Sequence, residues 1–136
     1  MTTVAEQRFP RSMRLKRRRL IAPLFERSAS DTKSLVAGSI RILYRFVPRS
    51  TTGADEPIQV GFAPGRCRNA VQRNRIRRRM RETWRRNQNL MGLETVPAAE
   101  TLTLMVLRRS PDRNDRLSQD LLKAMHLLHQ SLNKRD

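Results

Sequence analysis

Hydrophobic positions along this chain change period several times, and each change predicts an element. Between Leu35 and Val47 the period is two, with Ile40, Ile42, Tyr44 and Phe46 alternating with Arg41, Leu43, Arg45 and Val47. That alternation predicts a β-strand with one aromatic and aliphatic face. Leu35-Val36-Ala37 reads as a short strand before it, with Gly38 as a bulge or bend. Pro48 to Pro57 is a loop of hairpin length, and Ile58 to Ala63 is expected to be the returning strand. Thr101 to Leu107 carries Leu102, Leu104, Met105, Val106 and Leu107, so it is apolar on both faces, as a central strand covered by helices is.

Elsewhere the period lengthens. Ile76, Met80 and Trp84 recur at i, i+4 and i+8, Val71 lies about a turn and a half earlier, and neither glycine nor proline interrupts Cys67 to Met91. A helix with one apolar stripe is expected there. Leu117, Leu121, Met125, Leu128 and Leu132 predict a second, with Asn114 or Asp115 as cap and Lys134 and Arg135 suited to its C-terminal end. Leu20, Ile21, Leu24 and Phe25 fit a short helix. Pro23 removes one of its hydrogen bonds, so that helix either begins late or is kinked. Residues 1–8 are expected to be disordered, and 1–136 to form a single α/β domain in the order α-β-β-β-α-β-α, with no internal repeat.

Charge changes the picture. The formal net charge is +17 and the sequence pI about 11.8, far beyond what solubility requires, so nucleic acid is the expected partner, ahead of a membrane surface. Ten arginines and a single acidic residue, Glu82, fall between Arg66 and Arg86. A solvated helix face normally mixes both signs, whereas Arg73, Arg77 and Arg81 repel one another along one row unless a polyanion screens them. Only four of the 29 basic residues are lysines, and the planar guanidinium fork suits phosphate and base contacts.

The same residues exclude several classes. No apolar run reaches the roughly 18 residues of a membrane span, and no signal peptide is visible, so a cytoplasmic protein is expected. Cys67 is the sole cysteine, which rules out an intrachain disulfide and a cysteine zinc cluster. Arg66 and Arg68 beside it could make it reactive, but a small residue packed at a helix start is the preferred reading. His126 and His129 stand at i, i+3 among leucines and read as partly exposed helix residues, so no metal site is assigned. Glu82 lies within a helical turn of Arg78 and Arg86, which suits an intrahelical ion pair. There is no paired-carboxylate set, glycine-rich phosphate loop or serine–histidine–acid signature, and no catalytic residue is assigned.

The run Arg68-Asn69-Ala70-Val71-Gln72-Arg73-Asn74-Arg75-Ile76-Arg77-Arg78-Arg79-Met80-Arg81-Glu82 closely resembles the signature of the bacterial ribonuclease P protein subunit. Phe9-Pro10-Arg11, Arg14-Leu15, Leu24-Phe25, Tyr44 and the apolar strand at 101–107 extend the resemblance over residues 9 to 132. It implies a small α/β sandwich, ribosomal protein S5 domain 2-like, whose basic crossover helix makes a left-handed connection between parallel strands, against the usual hand. It further implies RNA binding by Arg66, Arg68, Asn69, Arg73, Asn74, Arg75, Arg77, Arg78 and Arg81, and a cleft for the 5′ leader of precursor tRNA at Ile21, Phe25 and Tyr44, where aromatic faces suit unstacked bases.

The partners so implied are the ribonuclease P RNA subunit and precursor tRNA, with no membrane and no protein oligomer required. The activity would be endonucleolytic maturation of the tRNA 5′ end. The catalytic centre would lie in the RNA, which requires Mg²⁺, and no cofactor would be bound by the chain itself. Three positions depart from the family pattern: Leu20-Ile21 replaces Asp-Phe, Pro23 interrupts the first helix, and Gly65-Arg66 stands for a lysine pair. A structural ribosomal protein and a duplex-DNA binder that seats its arginine helix in a major groove are the alternatives of other classes.

Overall fold

The strands β1 (Lys33–Ala37), β2 (Ile40–Pro48), β3 (Ile58–Ala63) and β4 (Glu100–Arg108) form one mixed sheet in the order β1-β2-β4-β3. The computed structural model describes residues 9–26, 31–109 and 116–134. Residues 1–8 and the candidate caps Asn114 and Asp115 lie outside them. β1 and β2 are an antiparallel hairpin, β2 and β4 pair antiparallel along their whole lengths, and β3 and β4 run parallel. Ile58–Ala63 is therefore not the hairpin partner of β2, as its distance along the chain suggests. β4 takes that place, because a strand apolar on both faces gains most from a central position. All but two of its nine residues are buried.

Each helix follows from its apolar stripe. The basic helix α2 (Ala70–Asn87) buries Ile76, Met80 and Trp84 and then tightens into a 3₁₀ turn at Gln88–Met91. Val71 does not join that stripe and is 67% exposed. Five residues before Ile76 at about 100° each leave it roughly 140° off the buried line. The last helix α3 (Leu117–Asn133) buries Leu117, Leu121, Ala124, Met125, Leu128 and Leu132. In its first turn Asp120 accepts hydrogen bonds from the Ser39 backbone N–H at 2.9 Å and hydroxyl at 2.8 Å, which ties α3 to the β1–β2 turn. The first helix α1 (Arg18–Ile21) is a single turn that narrows into a 3₁₀ turn at Ala22–Phe25, with Pro23 in its first positions. The proline thus both shortens and reshapes the helix, since its ring leaves the preceding turn no α-type partner.

Two cores result, one on each face of the sheet. Ile40, Ile42, Tyr44, Ile58, Val60, Leu102, Leu104 and Val106 pack beneath α2 and α3. Val47 and Met105, with half-buried Leu43, Ala63 and Leu107, face Leu15, Leu20 and Leu24 of the N-terminal segment. The second core is smaller, and it leaves part of its sheet face uncovered.

Candidate nucleic-acid interface

The basic helix begins where it does because of Asn69. Its side chain accepts from the Gln72 backbone N–H at 2.9 Å, and the Gln72 carboxamide oxygen accepts from the Arg68 N–H at 2.7 Å. This is a near-reciprocal cap that satisfies backbone donors otherwise left open. The loop before it is held from β4. Arg108 is only 8% exposed, and its guanidinium donates to the Pro64 carbonyl at 2.7 Å and the Arg66 carbonyl at 2.8 Å. Gly65 has φ +75°, and a Cβ there would collide with the Arg108 carbonyl oxygen. An arginine ending an apolar strand was the sequence signal for this anchor, and the helical periodicity alone does not reach it.

From that start α2 displays its charge. Arg66, Arg68, Asn69, Arg73, Asn74, Arg75 and Arg78 are exposed, and Arg77 and Arg81 are half-buried. The structure therefore brings all nine expected residues of the basic stretch to one helix and the loop before it. Glu82 does not neutralise that part of the helix. Its carboxylate is bound by Arg85, with Nε at 3.0 Å, and by Arg86 at 3.2 Å, rather than by Arg78. The Arg85 hydrogen bond is the main cause of its pKa falling to about 2. Positive charge is compensated near the C-terminal end of α2, whereas among the described residues Arg73, Arg75, Arg77 and Arg78 are salt-bridged to no carboxylate. Arg81 is desolvated by burial and repelled by Arg14, Arg77 and Arg78, all of which push its pKa below the ordinary value.

The three cleft residues do not come together. Ile21 packs with the N-terminal segment and Phe25 is 50% exposed beside it. Tyr44 is 7% exposed and lies on the other side of the sheet, in the core under α2 and α3. Strand periodicity is the reason: Tyr44 shares its face with Ile40 and Ile42, and the opposite face of β2 carries Arg41 and Leu43. The uncovered surface beside α1 is instead lined by Leu43, Ala63 and Leu107, with Arg41 exposed beside them on that face.

A family model described as Ribonuclease P matches residues 9–130. The chain belongs to the ribonuclease P family. No curated protein and no solved structure matches it. Membership makes it a protein subunit of a ribonucleoprotein involved in tRNA 5′ processing and associated with RNA. Among the described residues no group of three or more histidine, cysteine, aspartate or glutamate side chains could hold a metal ion. His126 is exposed, and His129 faces Asn133 at 3.3 Å. Cys67 is half-buried, with its sulfur 3.5 Å from the Arg108 guanidinium. Among the described residues no helix is long and apolar enough to cross a membrane.

Proposed function

We propose that this chain binds the ribonuclease P RNA through α2, holds the 5′ leader of precursor tRNA beside α1, and so supports endonucleolytic removal of the leader. The observation that carries this reading is the guanidinium surface of Arg66, Arg68, Arg73, Arg75, Arg77, Arg78 and Arg81 on a capped helix and the loop before it, none of them salt-bridged to a carboxylate among the described residues. Arg66, Arg68, Arg73, Arg75, Arg77, Arg78 and Arg81 donate to phosphates, and Asn74 adds an amide. Asn69 acts through its cap, which sets where the helix starts. The family resemblance and the absence of any acid–base pair in the motif together support a division of labour in which the RNA subunit cleaves. Mg²⁺ is bound by that RNA in this reading, because an all-guanidinium surface repels a cation. The chain neutralises phosphates and orients the leader, with Phe25 as the stacking aromatic and Ile21, Leu43 and Arg41 beside it.

Reconstitution tests this. Protein added to the cognate RNA subunit at low Mg²⁺ is expected to accelerate cleavage of precursor tRNA at the mature 5′ end. Equal rates with and without protein would reject the reading, as would recovery of the protein on ribosomal RNA alone.

A further inference from the structure

The N-terminal segment contributes a residue to the basic surface that the helical motif does not contain. Arg14 forms a parallel β-bridge with Val60 of β3, and the Leu15 N–H donates to the Val60 carbonyl at 2.9 Å. Paired bridge residues share a face, so Arg14 lies on the side where Val60 packs beneath α2. Three rings hold the segment against that helix: Phe9 stands 5.8 Å from Phe62, and Phe62 stands 6.3 Å from Trp84, both edge to face. The Arg14 guanidinium lies 6.0 Å over the Phe9 ring, while Arg81 precedes Trp84 by one turn.

Two features of this pair are costly in the free protein. The Nε atoms of Arg14 and Arg81 are both buried, and neither has a hydrogen-bond partner. A buried donor left unpaired costs free energy, more so when it is charged. The two guanidinium groups also repel each other, Arg14 being the largest charge effect on Arg81. Among the described residues neither is salt-bridged to a carboxylate. A tetrahedral phosphate has oxygens enough to accept from both forks at once, and its charge reverses the sign of the interaction.

We propose that Arg14 and Arg81 form a single phosphate site, in which the N-terminal segment and α2 together grip one phosphodiester of the RNA subunit. Arg77 and Arg78 flank the site along α2 and add charge without completing it. The inference rests on the RNA-binding reading above and adds a residue to it from outside the arginine-rich helix.

A double-mutant cycle with the full-length protein and the cognate RNA subunit decides the matter, using Arg14→Gln, Arg81→Gln and the double variant. Each single change is expected to weaken binding about tenfold, as loss of a charge-assisted hydrogen bond does. The double should lose about 10- to 30-fold rather than the roughly 100-fold of independent sites. The slope of log affinity against log salt should fall by about 0.7–0.9 in the double, the value for one phosphate, and not by twice that. Additive losses with a doubled change of slope would overturn the shared site. Each free variant should melt at or above the wild-type temperature, since it removes one of two adjacent like charges. A lower melting temperature would assign the guanidinium to the fold and overturn the proposal. Wild-type protein that binds the cognate RNA no better than an unrelated structured RNA of equal length would instead reject the underlying RNA-binding reading.

Discussion

Tyr44 and Phe25 are both aromatic, yet burial gives them opposite roles. Tyr44 is in the core under α2 and α3, so Tyr44→Ala should destabilise the fold by about 3–5 kcal/mol, the range for truncating a buried aromatic. Phe25 is half exposed, so Phe25→Ala should leave the melting temperature nearly unchanged. In the proposed cleft it should weaken binding of leader-bearing precursor by about 1–3 kcal/mol relative to mature tRNA. Thermal melts and paired binding measurements check both, and equal losses for precursor and mature tRNA would remove Phe25 from the cleft. Glu82 yields a pH prediction. Its carboxyl, depressed from 4.5 to about 2 by Arg85 and then Arg86, binds its proton less readily in the folded chain than in the unfolded one. The stabilisation is therefore present above the unfolded pKa and is lost as pH falls through about 2. Titration of the Glu82 carboxyl carbon by NMR should show that midpoint, and a midpoint near the model-peptide value would mean that the ion pairs do not persist in solution.

At the scale of elements, α2 is a charged rod whose start is set by Asn69 and by the Arg108 anchor. If it neutralises about five phosphates, affinity for the RNA subunit should fall roughly 100- to 500-fold between about 50 and 200 mM monovalent salt. Replacing Arg73, Arg75 and Arg77 by Gln keeps helix propensity and should lower the salt slope by about two to three units. Replacing the exposed Lys123 and Lys134 by Gln should change it much less, and similar slopes per charge removed would deny α2 any privilege. The anchor is tested separately. Arg108→Met leaves the Pro64 and Arg66 carbonyls without their donor, which should cost about 1–3 kcal/mol. Amide exchange across Arg66 to Gln72 should then speed up while the core of β4 stays protected. Unchanged exchange there would show that the loop holds itself.

For the whole molecule, the two faces of the sheet divide the work: one is filled by α2 and α3, the other only partly by α1. In the proposed division of labour the RNA subunit carries the catalytic centre, so the protein freed of RNA is expected to leave precursor tRNA intact. Cleavage by rigorously RNA-free protein would end the proposed division of labour. Much of this was legible in the chain itself. The sequence alone determined the basic helix, the doubly apolar β4 and the buried stripe of α3, because periodicity and charge are local properties that neighbours along the chain settle. The same alternation already set Tyr44 beside Ile40, Ile42 and Phe46, on a core face. The motif resemblance placed it in a cleft, and the burial of that face decided between them. Only the tertiary structure determined that β4 separates β2 from β3, that Arg108 reaches back to the loop before α2, and that the charge of Arg14 acts on Arg81. Those interactions join residues more than forty positions apart along the chain. No local period encodes them, since they arise when sheet order and helix packing have brought distant segments together.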